Sequence, residues 1–156
     1  MVFKPMRRND KAITEVEILE LLKQGEYGVL STIGENGYAY GVPLSYGYKD
    51  GNIYFHGATE GLKLENLAYN NKVSFTVVGP TKVLSSAFST NYESVIVFGT
   101  AEFLEGEEKI EGLKVILEKY SPDFMESGMK YIRNDENKTK VFKIKVEQVT
   151  GKAGRR

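Results

Sequence analysis

A chain of 156 residues with 41% hydrophobic content is long enough to bury its own core, and we read it as one domain spanning residues 1–156. Lysine plus arginine and aspartate plus glutamate balance at 21 each, so no net field draws in nucleic acid or an acidic membrane. The absence of cysteine excludes disulfides, thiolate metal sites and cysteine nucleophiles, and any zinc site or serine–histidine–acid triad has only His56 to build on.

Met1 to Arg8 carries basic residues with no apolar run behind them, so no secretory signal is expected. No window reaches the length of a membrane span, and a cytoplasmic location is the expectation. With so little reactive side-chain chemistry, redox work would fall to a bound organic cofactor.

Thr14 and Glu17 form a capping box ahead of Ile18, Leu21 and Leu22, and Gly25 stops this first helix. Tyr27 to Thr32 reads as a strand. Gly34 to Gly37 is a turn that tolerates positive φ, and a second strand runs from Tyr38 to Tyr48. Pro43 lies inside that strand and cannot donate a ladder hydrogen bond, which predicts either an edge position or a bulge near Val42 to Leu44.

Ile53 to Phe55 forms a third strand that runs directly into a helix, with Thr59 as the expected N-cap and Leu64, Leu67 and Ala68 at helical spacing. The connection brings free backbone amides and Lys63 to a helix N-terminus, where the dipole is positive. This is the arrangement of a phosphate-binding corner. An ordinary turn with a solvated lysine is the alternative. His56 sits beside it, placed either to exchange a proton with a ligand or to bond the backbone at a strand end.

Val73 to Val78 is the next strand, closed by Gly79-Pro80. Residues 81–91 read as a loop or a weakly patterned strand. Tyr92 to Leu104 is β-rich, with Val95, Val97, Ala101 and Phe103 on one face and Ile96 and Phe98 on the other. Apolar residues on both faces predict burial in a barrel or at an interface. Gly106 to Tyr120 is helical, and Ser121-Pro122-Asp123 opens a short helix through Met129. Thr139 to Val149 is the last strand, ended by Thr150-Gly151-Lys152, with residues 153–156 as a mobile basic tail. Six strands joined mostly by hairpins predict an antiparallel barrel with flanking helices.

Gly57 to Lys63 is not a P-loop, because three residues separate its glycines, Leu62 intervenes, and no serine or threonine follows the lysine. There is no Gly-x-Gly-x-x-Gly fingerprint either.

Gly41 to Tyr48, Ile53 to Ala58, Gly61-x-Lys63, Asn70 to Phe75, Tyr92-x-Ser94 through Gly99 and the closing Thr150-Gly151-Lys152 together resemble the pyridoxamine 5'-phosphate oxidase-like flavoproteins, and within them the nitroimidazole-resistance branch. The resemblance implies a six-stranded antiparallel split β-barrel that forms a homodimer with FMN at the interface. Lys63 and the backbone of His56, Gly57 and Ala58 would hold the phosphate. Val42, Pro43 and Leu44 would run along the flavin ring near Ser31 and Thr32, and Tyr92 and Ser94 would reach it from across the interface. His56 is the candidate catalytic side chain, and no metal is implied. Gly57 and Leu62 replace a hydroxyl and an arginine common in the family. The implied activity is an FMN-dependent oxidoreductase acting on a small molecule such as a nitroaromatic. Pyridoxamine-phosphate oxidation, haem binding and a flavin-binding module without turnover are the alternatives.

Overall fold

The structure is a computed structural model and describes residues 3–156. The first helix, α1 (Glu15–Gln24), starts at the expected capping box: the Glu17 amide donates to Thr14 Oγ1 at 3.2 Å and the Thr14 amide to Glu17 Oε2 at 3.3 Å. Leu21 and Leu22 are its buried residues.

Eight strands follow: β1 (Gly28–Ile33), β2 (Ala39–Leu44), β3 (Gly47–Lys49), β4 (Asn52–Gly57), β5 (Lys72–Val78), β6 (Lys82–Leu84), β7 (Ser89–Leu104) and β8 (Lys140–Gly154). Two more than expected arise because the predicted strand from Tyr38 to Tyr48 breaks at Ser45-Tyr46, and because residues 82–84 pair with the start of a longer β7. All pairings are antiparallel, in the order β2-β1-β5-β7-β8-β4-β3, with β6 beside β7.

That order forces a curled sheet. β2 and β3 are its two edges, yet only Ser45 and Tyr46 separate them in the chain. Such a connection spans at most about 11 Å, so the edges must come round to meet. They do not pair, and the result is a split barrel. Pro43 therefore sits on an edge strand, and pairing stays in register through it, Val29 opposite Pro43, without the bulge that was the other expectation.

Tyr46 fills the seam and is fully buried. Its hydroxyl donates to the Leu22 carbonyl at 2.6 Å, and its amide donates to Tyr120 Oη at 3.1 Å. Tyr120 in turn donates to the Glu26 carbonyl at 2.6 Å. The Tyr46 ring meets Phe75 edge-on at 4.9 Å, and Lys119 Nζ lies 3.6 Å from its centroid. Burial pushes the Lys119 amine down to about 8. Leu30, Ile53, Phe55, Val77, Val95, Val97 and Ile144 complete the core around Tyr46.

Helix α2 (Leu62–Tyr69) packs on β1, and α3 (Gly106–Tyr120) covers β3 and β4 from outside. Helix α4 (Met125–Asp135) extends six residues beyond the predicted end at Met129, following a 3₁₀ turn at Pro122–Phe124 rather than a Ser121 cap bond. Met129 packs against Leu104, Ile110, Leu113, Ile132 and Val141 in a second core cluster.

The facing of β7 changes along its length. Val95, Val97 and Ala101 point inward as predicted, but Phe103 is 47% exposed and Leu104 is buried in its place. The register between β7 and β8 shifts at Phe98/Gly99, where an added Cβ on Gly99 would stand 2.3 Å from the Lys145 carbonyl oxygen. Strand β8 also continues past its predicted end at Lys152. Ala153 and Gly154 pair with Glu93 and Tyr92, Arg155 binds Glu93 at 2.8 Å, and Arg156 exchanges hydrogen bonds with Asn91. The expected tail is thus a sheet edge with polar ties. No helix among the described residues is long and apolar enough to cross a membrane.

Tyr46→Phe keeps the packing and leaves the Leu22 carbonyl without its donor, so the unfolding free energy should fall by about 1–3 kcal/mol. A lower urea midpoint at unchanged slope would show it.

Candidate functional site

The connection from β4 to α2 is the corner predicted from sequence, with one correction. The helix starts two residues later than Thr59 implies, because Gly61 is the N-cap, at φ 135°, and no side chain caps it. That φ suits glycine alone. The shift makes Lys63 the second residue of the helix. The Leu64 and Glu65 amides turn back to the Gly61 carbonyl, each at 3.1 Å. Among the described residues, the amides of Thr59, Glu60, Gly61, Leu62 and Lys63 have no acceptor within the chain.

Lys63 folds back toward the strand end. Its Nζ lies 5.9 Å from the centroid of the buried Phe55 ring, and a Cβ added at Gly57 would come within 2.6 Å of it. Among the described residues no carboxylate lies within ion-pair distance of it. Burial lowers its pKa from 10.5. A half-buried cation without a counter-ion, beside a row of free amides at a helix N-terminus, is a site for an anion. Glycine at position 57, which looks like a lost hydroxyl in the sequence, is what leaves room for the amine.

What aims α2 was not singled out in the sequence. Asn66 is buried on this helix and donates from Nδ2 to Thr32 Oγ1 at 3.0 Å, tying α2 to β1. Gly34 makes space for it, since a Cβ there would lie 2.2 Å from Asn66 Oδ1. An amide beside Leu67 on the apolar face of a helix is the signal that could have identified it.

His56 faces away from this corner. Side chains alternate along β4, so Phe55 points into the barrel and His56 out toward α3 and α4. It keeps contact with solvent, but the surrounding protein lowers its pKa below 6.5, and the charge of Lys63 adds to the effect. Ser31 and Thr32 also face opposite sides. Thr32 is buried and bonded to Asn66, whereas Ser31 opens onto an outer groove with Ser74 and Phe98. Val42 and Leu44 pack against the core and Pro43 is exposed.

Tyr92 and Ser94 are remote. His56 is opposite Val141, which is opposite Leu104 on β7, while Tyr92 pairs with Gly154 at the other end of that strand. Twelve residues of extended chain between Tyr92 and Leu104 span about 40 Å. One copy of the chain does not bring both groups to one ligand.

The model of the family described as pyridoxamine 5'-phosphate oxidase matches residues 14–153. The chain belongs to this family. Among curated relatives, the protease synthase and sporulation protein PAI 2 of Bacillus subtilis (strain 168) is 28% identical over 170 residues, covering 89% of this chain and 75% of that protein. Among solved structures, a candidate 5-nitroimidazole antibiotic resistance protein from Bacteroides thetaiotaomicron is 29% identical, with a TM-score of 0.75 over 91% of this chain and 86% of the other. The FAD and heme binding protein from Mycobacterium smegmatis shares the fold, with a TM-score of 0.79 at 17% identity over 94% and 74% of the two chains. The fold is thus shared with chains of low sequence identity.

Because His56 is the only histidine, its imidazole protons give a single resolved titration by NMR. The midpoint should lie below 6.5, and Lys63→Met should raise it only part of the way back, since burial is the larger cause.

Proposed function

We propose that this chain is an FMN-binding oxidoreductase that moves hydride or electrons between flavin and a small substrate, with nitroaromatic compounds as one substrate class. The observation that carries this reading is the unpartnered Lys63 ammonium beside the free amides of Thr59 to Lys63, a donor set that fits a phosphate. Leu62 supplies only its amide there, so the charge rests on Lys63. Bound flavin would supply the redox chemistry, for which the protein has no cysteine thiol.

The other roles follow from position. The edge strand β2 offers backbone groups unpaired on its outer side, along which the flat edge of a ring can lie between Val42 and Leu44. Phe55 and Phe142, stacked at 5.3 Å, make a rigid apolar backing behind Lys63 and keep water from its stem. His56, held neutral at physiological pH, can exchange a proton with a substrate on its own side of β4.

A homodimer accounts for two features together. The outer faces of Ile96 and Phe98 on β7 are apolar and open, with Phe3 stacked on Phe98 at 5.5 Å as partial cover. A second copy on that face would bring its Tyr92 and Ser94 toward a corner that its own chain cannot reach.

Titration of flavin-free protein with FMN, followed by quenching of flavin emission, tests the reading. Lys63→Gln should weaken binding by about tenfold or more, the worth of one charged hydrogen bond. Gly57→Ala should weaken it as well, by displacing the amine. Protein that takes up no FMN, or equal affinity in Lys63→Gln, would refute the assignment.

A further inference from the structure

Helix α2 meets the barrel through one face. Lys63, Asn66 and Leu67 stand at i, i+3 and i+4, so the residue that carries the charge points the same way as the two buried residues of the helix. Leu67 gives apolar contact with the core, which resists separation of the helix but not a small slide or rotation along β1. Asn66 supplies the direction. It is 4% exposed, and its Nδ2 donates at 3.0 Å to Oγ1 of Thr32, which is itself 1% exposed. When either of two buried polar partners shifts, the other is left desolvated and unpaired, so such a bond holds one register.

Gly34 belongs to the same arrangement. It follows directly on β1, it is buried, and its φ is not positive, so its backbone needs no glycine. A Cβ there would nevertheless lie 2.2 Å from Asn66 Oδ1 and 2.9 Å from its Cγ. What this glycine preserves is the place of the Asn66 amide. The Thr32 hydroxyl, in turn, is committed to Asn66 inside the protein. The family resemblance groups Thr32 with the residues along the flavin ring, and its burial gives it a different task.

We infer that Thr32, Gly34 and Asn66 are positioning residues for the anion corner: they set where the Lys63 amine stands against β4, and through it the affinity for a phosphate group, without touching the ligand. The effect on affinity rests on the reading of that corner as a phosphate site; the placement of Lys63 does not. Lys63 spans from α2 to the end of β4, where its amine takes the room left by Gly57 and lies 5.9 Å from the Phe55 centroid. No backbone ladder joins β1 directly to β4, so the docking of α2 on β1 sets how far the amine reaches. The charge of Lys63 also lowers the His56 pKa, which gives its position a readout that needs no ligand.

FMN titration of full-length Thr32→Val, Asn66→Leu and the double variant, each with urea unfolding and the NMR titration of His56, tests the inference. Each single variant strands a buried polar group and should lower the urea midpoint. The double variant replaces both partners by apolar groups of like shape and should regain most of that loss. FMN affinity should not return with stability. In the double variant it should stay about three- to tenfold below wild type, short of losing the charged hydrogen bond itself. The His56 midpoint should rise there toward that of Lys63→Met, because a displaced amine repels the imidazolium less. Gly34→Ala, which pushes on the Asn66 amide from the β1 side, should move both readings in the same directions. Thr32→Ser keeps the hydroxyl and should leave both at wild type. A double variant with wild-type affinity and a wild-type His56 midpoint would overturn the inference and leave the bond a matter of stability alone. So would lowered affinity with an unmoved midpoint, which would put Thr32 or Asn66 in contact with the ligand. Should the double variant not fold, Gly34→Ala decides by the same two readings. Wild-type protein that takes up no FMN would sink the flavin assignment, and the His56 midpoints would still decide what holds Lys63.

Discussion

The two edges of the sheet are consecutive in the chain, and the two-residue link between them carries the fully buried Tyr46. Everything else depends on that seam. The short link fixes how tightly the sheet curls, and the Tyr46 ring against Phe75 fills the space the curl encloses. Its hydroxyl and amide reach α1 through Leu22 and α3 through Tyr120, so both outer helices are registered on the same residue. Lys119, desolvated over the Tyr46 ring with no hydrogen-bond acceptor, marks how completely water is excluded there.

From this frame the candidate sites take their positions. The start of β4 is held between β3 and β8 and its end by β8 alone, and the Asn66–Thr32 bond fixes α2 against β1. Lys63 is thereby presented by two elements that belong to different parts of the sheet. The same strand, by its alternation, sends His56 to the other face and into the space under α3 and α4. The cationic corner at Lys63 and the aromatic cavity beside His56 thus lie against opposite faces of one strand.

A barrel of this kind keeps one apolar sheet face on the outside, where Ile96 and Phe98 lie on the longest strand. The twelve-residue interval along β7 between the Tyr92 and Leu104 rows makes each copy incomplete with respect to the residues that the family resemblance groups together. The exposed Ile96 and Phe98 and this interval are the two features on which the proposed second copy rests.

Local rules written into neighbouring residues were readable from the sequence: the Thr14–Glu17 capping box, the hairpin turn at Gly34–Gly37, the extent of α3, and a free-amide corner ahead of Lys63. Each depends on interactions within a few positions. The family motifs carried the split barrel as a whole, because they preserve spacing across nearly the full chain. Tertiary contact decided the rest. The break at Ser45-Tyr46 follows from closing the barrel, and the exchange of facing between Phe103 and Leu104 appears only in the packed structure, since β7 keeps its alternation through Ala101. The docking of α2 on β1 depends on Asn66 meeting Thr32, residues 34 positions apart. Gly57 looks like a deficit in the sequence and becomes a space for the Lys63 amine only once the helix folds back on the strand. The aromatic cavity beside His56 has no motif at all, since its walls come from β4, α3 and α4, and only packing brings those elements together.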